Sequence, residues 1–214
     1  MAVQAGDIRQ TILKRVWRMK TCIFITGTNA VGKSALAWAI IDRFGGVDRI
    51  TNQVTYCKLG SLCLAGGYGQ TRFGGVDRIT NDKGSSCTSR LAEVVEEGLR
   101  HADTIVCEGS FMNTFGLNLT NAMFKAEQHL IVSLWTDTKT IYERLTFRSN
   151  GKRGGGKRNY RSIVSKQRQA MVAAQKWQSI GVKVLQFNTS QVTVQQELDA
   201  VLKTIGMTEY CHVD

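Results

Sequence analysis

Residues 21–44 read TCIFITGTNAVGKSALAWAIIDRF, and this stretch decides the fold. Its first residues, Thr21–Thr26, are apolar and rich in β-branched side chains, which predicts a strand buried on both faces within a parallel sheet. Its last residues, Ser34–Phe44, have helical periodicity, and two glycines after them predict the end of the helix. A loop bounded by glycines joins the strand to the helix.

The joining loop fits the phosphate-binding pattern GxxxxGK[ST] at every position. Glycine lets the backbone curl until successive N–H groups point at phosphate oxygens, and the helix N-terminus adds partial positive charge. In this pattern Lys33 reaches the β- and γ-phosphates, and the Ser34 hydroxyl ligates Mg²⁺. The sequence therefore predicts a loop that binds ATP with Mg²⁺. Its nucleotide-binding residues are Gly27, Thr28, Asn29, Ala30, Val31, Gly32, Lys33 and Ser34.

An acid ends another predicted strand of the sheet. Thr104–Cys107 is apolar and leads into Glu108, which would stand beside the loop if the two strands are parallel neighbours. There Glu108 would hold the metal through water or orient an attacking hydroxyl; the plainer alternative is an acid that faces solvent. Asp137 is the rival, but Thr138 and a helix follow it, so we expect Asp137 to cap that helix.

Strands and helices alternate along the rest of the chain. Val54–Ala65 predicts a strand or a hairpin bent at Gly60, and the alternation elsewhere implies a parallel sheet with helices on both faces. We expect one α/β domain over residues 1–214, with three layers and a lid insertion at about 148–160. The remaining predicted strands are His129–Trp135 and Lys183–Phe187, and the remaining predicted helices are Ser89–His101, Lys139–Arg148, Tyr160–Ser179 and Val194–Ile205.

Positive charge is concentrated in one part of the chain. The net charge is +11, and residues 139–183 hold twelve Lys or Arg but one acid, Glu143. Such a block attracts phosphate-bearing partners; the alternatives are a solvated face or arginines that clamp ATP alone. The chain has no apolar run long enough to span a membrane and no apolar leader, so we expect a cytoplasmic protein, in host cytoplasm if viral. The oligomeric state is left open.

A basic, glycine-rich segment, Gly151–Asn159, reads GKRGGGKRN and predicts a mobile lid. Arg144 and Arg148 precede it on one helix face and are predicted catalytic cations, and Arg153 within it is predicted to bind the nucleotide. Among P-loop NTPases, a GTPase needs a base-reading NKxD-like segment and a motor ATPase needs a longer chain; neither is present. The lid therefore favours a small kinase, while a disordered basic loop is the alternative.

Ten residues occur twice without change. Arg43–Asn52 and Arg72–Asn81 both read RFGGVDRITN, with an offset of 29 positions. Two copies are too few for a solenoid, and their sequence contexts differ. We therefore expect at most one copy to have the geometry of a functional site.

Taken together, these motifs resemble the small P-loop kinases of the nucleoside-monophosphate-kinase type. More narrowly, the chain resembles the phage 5-hydroxymethyluracil DNA kinases, which phosphorylate a hydroxymethyl group on a base already in DNA. The resemblance covers about residues 21–190 and implies a kinase that acts on DNA. The duplication departs from the family pattern and puts a role for Asp48 in doubt. The segments that carry the resemblance are Gly27–Ser34, Leu64–Tyr68, Phe73–Ile79, Cys107–Gly109 and Arg144–Arg158.

Three residues between the first helix and the next are candidates for substrate contacts. Asp77 would orient an acceptor hydroxyl and accept its proton, Arg78 would hold a substrate phosphate, and Tyr68 would stack on an extruded base. Alternatively, Asp77 forms an Asx turn and Tyr68 is a half-buried loop aromatic. The rival functions are a nucleoside or nucleotide kinase, a polynucleotide 5′-hydroxyl kinase, and an ATP-gated protein that binds nucleic acid without catalysis.

Overall fold

The computed structural model describes residues 19–46, 51–52, 56–68, 75–76, 79, 87–149 and 160–207. Within these ranges the strands are β1 (Thr21–Thr26), β2 (Thr51–Asn52), β3 (Tyr56–Leu59), β4 (Leu62–Ala65), β5 (Thr104–Glu108), β6 (Gln128–Trp135) and β7 (Lys183–Asn188). The helices are α1 (Lys33–Arg43), α2 (Cys87–His101), α3 (Leu117–Met123), α4 (Thr138–Ser149), α5 (Tyr160–Ser179) and α6 (Val194–Thr204), with a 3-10 turn at Ser110–Asn113.

The described strands form one sheet in the order β2-β3-β4-β5-β1-β6-β7. Along the part of the sheet ordered β4-β5-β1-β6-β7, all neighbouring strands pair in parallel. At the other edge, β2 pairs with β3 and β3 pairs with β4 in antiparallel fashion. The hairpin between β3 and β4 turns at Gly60, whose φ of 59° lies in the left-handed region that favours glycine. The predicted α/β class with a parallel sheet is confirmed, and of the two alternatives for Val54–Ala65 the hairpin is correct.

Strand β1 lies at the centre of the sheet and is buried on both faces. Its side chains alternate between the two cores, as the period of two in a strand requires. Ile23 and Ile25 belong to the core under α1 and α6, and Cys22 and Phe24 belong to the core under α2, α3 and α5. This is the three-layer arrangement that a parallel sheet covered by helices on both faces produces.

Several elements were not predicted. The 3-10 turn, α3 and β2 have no clear periodicity, because each is too short for a pattern to develop. The lid residues 150–159 lie outside the described residues, so the lid and the single-domain boundary stay predictions. In the described part of the chain, no helix is both long enough and apolar enough to cross a membrane.

Candidate functional site

The loop between β1 and α1 has the backbone of a phosphate cradle. Gly27, Ala30 and Gly32 have positive φ values of 135°, 66° and 107°. Ala30 therefore adopts a conformation that costs an L-residue about 1–2 kcal/mol. Gly32 occupies the N-cap of α1, where no side chain caps the helix. The first N–H groups of α1 thus have no capping side chain and suit an anion.

Two contacts hold the start of this loop. A Cβ at Gly27 would lie 2.4 Å from the carbonyl oxygen of Leu134 on β6, so only glycine fits there. The N–H of Gly27 donates to Asn113 Oδ1 over 2.7 Å, in a buried hydrogen bond from the 3-10 turn after β5. Asn113 was missed in the sequence, because nothing local marks it as a partner of a residue 86 positions away.

Lys33 is buried at the centre of the loop. Its ammonium donates to the carbonyl oxygens of Gly27 and Thr28, over 2.9 and 2.8 Å. The side chain is only 8% exposed, so the charge is held inside the curve of the backbone. A contact of Lys33 with phosphate stays a prediction from the loop pattern.

Ser34 and Glu108 meet beside Lys33, as predicted from two separate segments. The Ser34 hydroxyl donates to Glu108 Oε1 over 3.2 Å, and Glu108 is 5% exposed at the end of β5. The alternative of a solvent-facing acid is therefore wrong. A hydroxyl and a carboxylate are the hard oxygen donors that Mg²⁺ prefers, so these two residues fit that ion.

The second copy of the repeat reaches this site. A Cβ at Gly75 would lie 2.2 Å from the Glu108 carbonyl oxygen and 2.6 Å from Glu108 Oε1. Its neighbours Val76 and Ile79 are buried in the core under α2. In the first copy, by contrast, Phe44 is the C-cap of α1. Asp77 and Arg78 lie outside the described residues, so their roles stay predictions.

Tyr68 is not placed as the sequence suggested. Its ring is 0% exposed and packs edge-on against Trp38, with ring centroids 6.0 Å apart. Its hydroxyl has no hydrogen-bond partner of good geometry among the described residues. Burial, and then the nearby Glu108 carboxylate, raise the pKa of this phenol well above its usual value. Because no face of the ring is open, this structure argues against stacking on a base and also against a half-buried ring.

Arg144 on α4 links the loop to the segment after β7. Its guanidinium donates to the Ala30 carbonyl over 3.2 Å, and to the hydroxyl and carbonyl oxygens of Thr189 over 3.2 and 3.3 Å. The strained residue of the loop is thus tied to the segment after β7. A direct contact of Arg144 with phosphate stays a prediction, and the Arg148 side chain and Arg153 lie outside the described residues.

A buried acid, Glu197, interacts electrostatically with Arg144. Glu197 on α6 is 1% exposed, and its Oε2 has no hydrogen-bond partner among the described residues. Burial raises the pKa of Glu197 to about 7, and the positive charge of Arg144 offsets part of that rise. Nothing in the sequence marks this acid as buried, because α6 otherwise has an ordinary amphipathic pattern.

A cavity of about 320 Å³ opens beside the loop. Thr28 and Asn29 form one wall, and Ile141 on α4 with Ile163 and Lys166 on α5 form others. The two helices that lead into and out of the predicted lid, α4 and α5, therefore meet at the loop.

Asp137 caps α4, as expected. Its carboxylate accepts a hydrogen bond from the Thr140 N–H over 2.8 Å. The hydrogen bonds from Thr140 lower the pKa of Asp137.

Comparison with known proteins supports the fold. No protein-family model and no curated protein sequence matches the chain. Among solved structures, the chain is similar to the YorR protein of Bacillus subtilis, determined in complex with phosphorylated GDP. The TM-score is 0.53 and the identity 14%, over 90% of this chain and 99% of that chain. This chain has a P-loop NTPase-like fold. At such low identity the likeness shows no more than the fold.

Glu197 gives the folded protein a pH dependence. The folded state keeps the proton up to about pH 7, whereas the unfolded chain loses it near 4.5, the ordinary pKa of a glutamate. Between these values the unfolded state binds fewer protons, so stability falls as pH rises and levels off above pH 7. We expect Glu197→Gln to remove this fall, about 2 kcal/mol, in urea denaturation at pH 5 and pH 8.

A matched control is Glu127→Gln, which removes an exposed carboxylate. It should leave the pH dependence of the wild-type protein unchanged. If Glu197→Gln and the wild-type protein lose equal stability between pH 5 and pH 8, the buried carboxyl does not titrate as described.

Proposed function

We propose that this chain is a phosphotransferase that uses ATP with Mg²⁺ and transfers the γ-phosphoryl group to a hydroxyl of a nucleic acid. The acceptor we favour is 5-hydroxymethyluracil in phage DNA, a base modification. The observation that carries the proposal is the meeting of Lys33, Ser34 and Glu108 at one loop. Lys33 supplies the cation for phosphate, and the other two supply oxygen donors for the metal.

The likeness to YorR supports nucleotide binding, because that protein was determined with a nucleotide bound in the same kind of fold. It also favours a second candidate function, a kinase for free nucleotides. The basic residues 139–183 and the resemblance to DNA kinases favour the nucleic-acid acceptor. A 5′-hydroxyl kinase and an ATP-gated binding protein are the remaining alternatives.

In the proposed reaction, the acceptor hydroxyl forms a bond to the γ-phosphorus, and the bond from that phosphorus to the β–γ bridging oxygen breaks. The hydroxyl proton passes to a carboxylate, for which Glu108 and Asp77 are the candidates. Mg²⁺ held by Ser34 and Glu108 would neutralise the charge of the phosphates. Arg144, Arg148 and Arg153 are proposed to add positive charge when the lid closes.

The first test is transfer of labelled γ-phosphate to three acceptors. These are unmodified DNA with free 5′-hydroxyl ends, end-blocked DNA that contains 5-hydroxymethyluracil, and a mixture of nucleoside monophosphates. We expect label on the internal modified base. Label on strand ends or on free nucleotides would favour the corresponding alternative, and ATP binding without label on any acceptor would favour the ATP-gated protein.

Lys33→Ala should lower the transfer rate by at least about 100-fold, because it removes the cation that contacts the β- and γ-phosphates. Lys125→Ala is the matched control, since Lys125 pairs with Glu96 on the surface of α2. Circular dichroism of both variants checks that the fold is kept. Normal transfer by folded Lys33→Ala would rule out a catalytic role for the loop.

The repeat offers a second matched pair. Gly75→Ala would place its methyl group against the Glu108 backbone, and we expect about 100-fold slower transfer because Glu108 or the segment must move. Gly46→Ala changes the equivalent glycine of the first copy, where a Cβ meets none of the described residues within 4 Å and φ is 81°. It should cost about 1 kcal/mol of stability and leave the rate unchanged below the melting temperature. The reverse result would assign the site to the first copy.

A further inference from the structure

A groove of about 340 Å³ runs between α5 and the segment after the 3-10 turn. Phe115, Val172 and Ala173 contribute its apolar surface, and Arg168 and Lys176 contribute its charge. Arg168 and Lys176 are exposed, and Val172 is 42% exposed. The groove therefore combines apolar side chains with cations on one open surface. Proteins that bind single strands use this combination, with cations for the phosphates and apolar or aromatic side chains for the bases.

The charge of this surface has one sign. Helix α5 carries Arg161, Lys166, Arg168 and Lys176 and no acid. None of the residues that line the groove is acidic. Within the described ranges, no carboxylate forms an ion pair with Arg168 or Lys176. The groove is thus complementary to a polyanion.

The groove shares one residue with the contacts of the phosphate loop. Asn113 lines it and also accepts the hydrogen bond from the Gly27 N–H. Lys166, on the same helix as Arg168, lines the cavity beside Thr28 and Asn29. Asn113 therefore links the lining of the groove to the start of the loop.

The two cations of the groove lie apart along one helix. The groove follows α5 from Ser165 to Lys176, and Arg168 and Lys176 are separated by about 12 Å along the helix axis, at about 1.5 Å per residue. A nucleoside monophosphate has one phosphate and would contact one of these cations, whereas a strand has a phosphate at every nucleotide and would contact both. We propose that this groove binds the strand that carries the acceptor hydroxyl, with backbone phosphates at Arg168 and Lys176 and sugar or base surfaces on Phe115 and Val172. The inference rests on the proposed function, in that the acceptor is a nucleic acid.

The test compares two double variants of the full chain by fluorescence anisotropy with a labelled 20-nucleotide DNA strand. Arg168→Ala with Lys176→Ala removes two charges from the groove. Lys58→Ala with Lys203→Ala removes two charges from β3 and α6, which do not line it. We expect the groove variant to bind DNA about tenfold more weakly at about 0.1 M salt. The number of ions released on binding, taken from the slope of log affinity against log salt concentration, should fall by about one to two. The control variant should bind like the wild-type protein.

Binding of a fluorescent ATP analogue, measured in parallel, should be the same in all three proteins and verifies the fold of the loop. Equal DNA affinity of the groove variant and the wild-type protein would overturn the groove, and so would a wild-type protein that does not bind the strand. The proposed function fails separately, if the wild-type protein transfers no label to DNA. If the wild-type protein transfers label to DNA and the groove variant binds DNA as tightly as the wild-type protein, the proposed function stands and the strand binds outside this groove.

Discussion

The site depends on how closely the Gly27 backbone approaches its neighbours. With the Leu134 carbonyl 2.4 Å from where a Cβ would lie, and with the Asn113 side chain on its N–H, the loop starts from a fixed point. The turn from β1 into α1 then places Lys33 inside the loop and Ser34 against Glu108. A central strand buried on both faces makes this possible, because it cannot shift without disturbing both cores.

Much of this could be predicted from the sequence, and the reason is local. The loop pattern, its strand and its helix lie within 24 consecutive residues, where spacing alone sets the geometry. Glu108 was found because parallel strands present their C-terminal ends at one edge of a sheet, and β1 and β5 are indeed direct neighbours. One glycine between two apolar runs left a strand or a hairpin bent at Gly60 open, and the pairing of β3 with β4 decides for the hairpin.

The rest depends on contacts between distant elements, which no local pattern encodes. Asn113, the link from Arg144 to Thr189 and the buried carboxyl of Glu197 become visible only when the layers are assembled. Tyr68 illustrates the same limit. The sequence suggested a ring that stacks on a base or lies half-buried, but the ring packs against Trp38 on α1 and is fully buried.

The repeated segment separates sequence identity from structural constraint. A Cβ at Gly46 would meet nothing in the described part of the chain, while a Cβ at Gly75 would be crowded by Glu108. Val76 and Ile79 are buried in a core, whereas Phe44 ends a helix. Natural selection should therefore remove substitutions of Gly75 more strictly than substitutions of Gly46. In relatives of this protein that keep both copies, position 46 should have diverged before position 75.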